Sequence, residues 1–166
     1  MKKGLLAIAL CCVTQCVLAA TVTIPIYKVA PEGDKGAAIG SVIATDTNEG
    51  LLLIPHVVGL VPGNYGFHIH ENPDCTNNGL AAGGHFDPEK HNQHLGPYSD
   101  RGHAGDLPVL VVDKTSKKPL PTVAPQLTVK DILDHSIMIH EGGDNYFDMP
   151  TTLGGGGPRM ACGVIR

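Results

Sequence analysis

The sequence predicts an all-β domain, a sandwich or barrel of short strands, and three observations carry that reading. β-branched and aliphatic runs of strand length recur along residues 21–166. Gly, Pro, Asn or Asp separates them, drawing on 21 Gly and 13 Pro in 166 residues, and such punctuation between apolar runs marks turns rather than disorder. No periodic segment of helical length alternates with the runs, which argues against the layering of an α/β protein.

In order, the runs are "TVTIPIYKVA" (21–30), "IGSVIATD" (39–46) and "GLLLIPHVVG" (50–59), followed by "NYGFHIHE" (64–71). After a long interval come "DLPVLVVD" (106–113), "HSIMIHE" (135–141) and "ACGVIR" (161–166). Only "TVKDILD" (128–134) suits a turn or two of helix. Residues 1–20, "MKKGLLAIALCCVTQCVLAA", stand apart from this rhythm. Lys2 and Lys3, an apolar stretch from Leu5 to Leu18 and a small-residue end have the layout of a cleaved secretory signal peptide, too short for a membrane span. The expected organisation is therefore a signal peptide at 1–20 and one exported domain at 21–166, with no membrane attachment after cleavage.

Export changes the cysteine arithmetic. Cys11, Cys12 and Cys16 leave with the signal, and Cys75 and Cys162 remain as an even pair in an oxidising compartment, where a disulfide is the expected state. Without Lys2 and Lys3 the chain keeps ten basic against sixteen acidic residues, a formal charge of −6. With no basic run, no nucleic-acid partner is expected.

Two segments break the strand rhythm, 72–105 and 142–160, and structureless segments this long in a compact domain are functional ones. Something other than a ladder of backbone hydrogen bonds is expected to order them. The chemistry gathers beside and within them. In "GFHIHE", His68 and His70 share one strand face while Phe67 and Ile69 take the other. In "HSIMIH", Ile137 and Ile139 face the core, and Met138 and His140 face away. If the two strands are neighbours, His68, His70 and His140 meet, and with one more nitrogen they make an imidazole set suited to copper. The loop adds His85, His94, His103 and Asp106, a closed set of three imidazoles and one carboxylate suited to structural zinc. His91, three residues before His94, is an alternative ligand on spacing alone. His56 lies in a different run, and His135 has the wrong parity with His140.

These pieces together, "GFHIHE", "GGHFDP", "HLGP", "GHAGDLP", "MIHEGGDN" and "GGPRMACGVI", resemble the copper/zinc superoxide dismutases, of the exported bacterial type. The resemblance covers essentially the whole of 21–166 and prefers His94 over His91 through "HLGP". It implies an antiparallel Greek-key β-sandwich, a flattened barrel of about eight strands with two long functional loops. It also implies one copper and one zinc per subunit, superoxide as the substrate, a periplasmic location, and a homodimer or monomer. By the same resemblance His68, His70, His85 and His140 bind copper, and His85, His94, His103 and Asp106 bind zinc. His85 is then shared, and it returns a proton to the departing peroxide. Asp144 hydrogen-bonds one ligand of each metal, Arg159 holds the anion, and Cys75–Cys162 ties the loop to the last strand.

One feature departs from many relatives: residues 141–157 contain no lysine to draw in an anion, but do contain Glu141, Asp144 and Asp148. Lys90 is a candidate for that charge. Two rival functions share parts of the pattern. A metal-storage protein on the same scaffold fits poorly, because all the expected copper ligands and Arg159 are retained. A dinuclear zinc hydrolase also uses H-x-H, but "HIHEN" lacks the following Asp such sites use, and the strand pattern lacks α/β layers.

Overall fold

A computed structural model of the chain describes residues 19–31 and 36–166. The signal peptide expected at 1–20 lies outside these residues except for Ala19 and Ala20. Among the described residues are nine strands: β1 (Thr21–Lys28), β2 (Ala38–Thr47), β3 (Gly50–Val57), β4 (Gly63–Tyr65), β5 (Phe67–His70), β6 (Leu110–Val112), β7 (Thr122–Ala124), β8 (Ser136–His140) and β9 (Arg159–Val164). Seven form a curled antiparallel sheet in the order β5-β8-β9-β1-β2-β3-β7, and β4 pairs with β6. The all-β expectation holds. No described helix is long and apolar enough to cross a membrane.

Alternation builds the core. Ile24 and Ile26 of β1, Val42 and Ala44 of β2, Leu51 and Leu53 of β3 all point inward and are fully buried. Pro25 and Pro55 are tolerated within strands because each sits where its strand has only one ladder partner: Pro25 opposite Ser41 and Pro55 opposite Val42. Among the described residues one α-helix, α1 (Val129–Ile132), is closed by a Thr128–Asp131 capping box and buries Val129 and Ile132.

Four expectations need correction. The run 64–71 is not one strand: the chain is cut at Gly66, so β4 pairs with β6 while β5 pairs with β8. Residues 106–113 yield only the three-residue β6. A short strand, β7, was not expected at all, since three residues of "TVA" fall below the length at which alternation is legible.

The fourth correction concerns order in the loop. The loop does use backbone hydrogen bonds, borrowed from the outer edge of β5. Ile69 N–H donates to Gly105 O (2.9 Å), Phe86 N–H to Ile69 O (2.9 Å), and Glu71 N–H to Gly84 O (3.1 Å). His68 bridges to Asp106 and His70 to His85. Gly105 permits this close passage, because a Cβ there would lie 2.3 Å from Ile69 O. Covering an edge strand also removes a site for unwanted pairing.

Candidate metal centre

Strand register places the first three imidazoles. β5 and β8 are neighbours, with His68 opposite Met138 and His70 opposite Ser136. As parity predicts, Phe67, Ile69, Ile137 and Ile139 enter the main core, while Met138 packs with Cys162 and Ala82 on the other side. That other side is not solvent. The loops cover it, and His68, His70 and His140 are buried.

Each of the three rings has one nitrogen engaged as a donor. His68 Nε2–H donates to Asp144 Oδ2 (2.7 Å), His70 Nδ1–H to Gly83 O (3.0 Å), and His140 Nδ1–H to Gly157 O (3.1 Å). The opposite nitrogens are therefore bare lone pairs. His70 Nε2 and His140 Nε2 face each other at 3.4 Å, and His68 Nδ1 is buried without a hydrogen-bond partner. Buried acceptors turned towards one another are costly unless a cation lies between them. His85 completes this group, whose ligand atoms all lie within 4.8 Å of one another.

The second group converges on one oxygen. Asp106 Oδ1 lies 2.9 Å from His85 Nδ1, 3.0 Å from His94 Nδ1 and 3.3 Å from His103 Nδ1. Ligands ~2.0–2.1 Å from a tetrahedral ion stand ~3.3 Å apart, so this set fits zinc. The other carboxylate oxygen, Oδ2, accepts the N–H groups of Leu95 and Gly96, both at 3.2 Å. His94 Nδ1, though close to Asp106, is out of line for a hydrogen bond. Its Nε2–H donates to Asp144 Oδ1 (2.8 Å), so Asp144 links a ring of each group.

Charge separates the groups. Burial, then the neighbouring His85, pushes His68 down to about 3; burial and His85 likewise push His70 to about 2. His140 falls to about 4, through burial against the opposing bond to Gly157 O. These rings stay neutral, as ligands must. Around Asp106 the balance reverses. Burial would raise its carboxyl, but His103, His85 and His94 outweigh that and hold it well below the carboxylate range. Burial would lower His94, yet Asp106 and Asp144 raise it to about 9.

Arg159 is on β9 rather than in the preceding loop, opposite His140 across an irregular register. Its guanidinium donates to Gly79 O and Gly83 O, and Gly83 O also accepts from His70. Cys75 and Cys162 are joined, with Cα atoms 5.8 Å apart, tethering that loop to β9. His91 bonds Gly102 O, His135 bonds Glu71 O, and His56 is exposed on β3; none belongs to either ligand group.

The backbone carbonyls that fix the rings have no signal in the sequence, whereas "LGGGGP" (153–158) reads as a loop for close approach and makes one. Gly154, at φ +69°, stands where a Cβ would lie 1.9 Å from Asp144 Oδ1. The glycine run was itself the available signal, since close packing needs small residues.

The family model described as "Copper/zinc superoxide dismutase (SODC)" matches residues 38–165. The chain is 53% identical over 130 residues to the Superoxide dismutase [Cu-Zn] of Francisella tularensis, covering 76% of this chain and 70% of that one. It is 44% identical over 165 residues to the enzyme of that name from Legionella pneumophila, covering 99% of each. Among solved structures, the Cu/Zn superoxide dismutase from Brucella abortus superposes with a TM-score of 0.81 at 44% identity, over 89% of this chain and 100% of that one. On sequence, fold and donor set alike, the chain belongs to the copper/zinc superoxide dismutase family.

Proposed function

We propose that residues 21–166 form an oxidoreductase domain that converts two superoxide anions and two protons into O2 and H2O2 in the cell envelope. His68, His70, His85 and His140 hold copper, and His85, His94, His103 and Asp106 hold zinc. When bound, copper supplies one-electron redox chemistry and zinc a fixed charge that does not change oxidation state. One observation carries the reading: His85 belongs to both ligand groups. Its Nδ1 points to Asp106 Oδ1, which leaves Nε2 for the other group.

The remaining work falls to the chain. Asp144 orients His68 and His94 together, so the two pockets are aimed by one carboxylate. His85 Nε2 is the nitrogen placed to carry a proton to the departing peroxide. Arg159, clamped by two carbonyls beside His70, keeps a forked cation at the copper pocket for a small anion. Export is supported by the leader-like sequence at 1–20 and by the disulfide, which suits an oxidising compartment.

Metal analysis with a dismutation assay tests this. About one copper and one zinc per chain, with activity that tracks copper, is expected. Zinc alone after growth in copper, or activity without copper, contradicts it.

A further inference from the structure

Of the acidic residues of 141–157, Glu141 and Asp148 read, in sequence, only as unfavourable charge near the path of an anion. Asp148 is one of them, and it belongs to no ligand group. Its carboxylate instead joins two loops through their backbones. Oδ2 accepts the N–H of His94 at 2.9 Å, and Oδ1 accepts the N–H of Leu153 at 3.0 Å. The next residue, Gly154, packs directly on the bond that aims the His94 ring: a Cβ there would lie 1.9 Å from Asp144 Oδ1 and 2.8 Å from His94 Nε2. Gly154 N–H donates to Phe147 O (3.1 Å), and Gly154 O accepts from Asn145 N–H (3.0 Å), which folds the turn onto the segment bearing Asp148. His94 is thus held twice, its ring by Asp144 and its backbone by Asp148, with the glycine turn fitted between.

We propose that Asp148 is a positioning residue for His94: by pinning the His94 backbone to the Leu153–Gly154 turn, it aims Nδ1 into the pocket of three histidines and one carboxylate. This rests on the assignment of His94 to zinc made above. Asp148 acts through hydrogen bonds to fixed backbone donors, and such outer partners commonly matter tenfold or more to metal affinity.

The test compares Asp148→Ala and Asp148→Asn in the full chain loaded with copper and zinc. Two readouts are followed: the rate of zinc release to a chromophoric chelator, and the visible spectrum of Co(II) placed in the zinc pocket. Asp148→Ala is expected to release zinc roughly tenfold faster and to shift the cobalt bands. Asp148→Asn, with one acceptor oxygen in place of two, should shift both readouts less. Asp113, whose carboxylate caps a remote loop by accepting from Thr115 and Ser116, serves as control, and Asp113→Ala should change neither. A folded Asp148→Ala with unchanged release and spectrum overturns the proposal. If that variant does not fold, an Asp148→Asn protein with unchanged values overturns it equally, as does an equal shift in Asp113→Ala. His94→Ala tests the underlying assignment separately: zinc held as tightly as before would remove His94 from the ligand set, whatever Asp148 does.

Discussion

The two ligand groups share His85 yet are assembled by different means. His68, His70 and His140 ride on β5 and β8, where ladder register sets their spacing and burial keeps them neutral. His94 and His103 sit on loops, where carboxylates and backbone N–H groups substitute for a ladder, and Asp106 meets the edge of β5 only through an isolated bridge. The strand-built pocket is a by-product of the fold. The loop-built pocket has to be tied together by charge, and a metal there supplies ordering free energy as well as chemistry.

The sharpest way to break the comparison is to remove a strand-borne ligand. His140→Ala should abolish dismutation, a loss on the order of a thousandfold or more, because the redox ion loses a nitrogen held by the ladder. Zinc content should stay near one per chain. Loss of both metals, measured by elemental analysis, would show that the pockets are not built separately. Next comes the link between them. Asp144→Asn leaves one acceptor for two imidazole donors and should weaken zinc affinity by roughly 10- to 100-fold, with a smaller change at copper. Competition with a chelator checks it, and unchanged affinity for both metals would remove Asp144 from its linking role.

pH should divide the halves in opposite directions in the metal-stripped protein. His68 and His140 are held below the ordinary imidazole value near 6.5, chiefly by burial, at about 3 and about 4. Folding therefore excludes protons that the unfolded chain accepts. Their contribution is complete above pH 6.5 and is lost as pH falls towards 3–4. His94, raised to about 9 by Asp106 and Asp144 against its burial, contributes fully below 6.5 and loses that contribution as pH rises through 9. Denaturant unfolding from pH 4 to 10 should show stability falling on both limbs, and zinc uptake near neutral pH should release a proton. A flat profile would contradict both assignments.

The smallest effect concerns Ser136, which faces His70 across the ladder with its hydroxyl buried and unpartnered. Ser136→Ala breaks no hydrogen bond seen in the structure and should change stability by less than about 1 kcal/mol. A loss beyond about 2 kcal/mol in denaturant unfolding would mean the hydroxyl has a structural partner.

This contrast also explains how much was legible in the sequence. Period-two alternation in "GFHIH" and "HSIMIH" exposes the strand-borne ligands directly, because side chains on one face of a strand must recur every second residue. The break at Gly66 and the three-residue β7 were not legible, since neither interrupts composition enough to register. On the loops, residue types pointed to His85, His94, His103 and Asp106 as candidate ligands, which the structure gathers into one group, but not to what aims them. Gly83 O, Gly157 O and the backbone clamp at Asp148 act through main-chain atoms that every residue possesses. The edge of β5, covered by residues 84–86 and 105–106, is likewise a tertiary fact with no local signature except Gly105.

If His85 serves both pockets, magnetic coupling between them reports it directly. With Cu(II) in the His68/His70/His140 pocket and Co(II) in the His94/His103/Asp106 pocket, the low-temperature EPR signal of copper should be strongly suppressed by exchange through the shared ring. A full-intensity signal of isolated copper, with both ions shown present by elemental analysis, would contradict it.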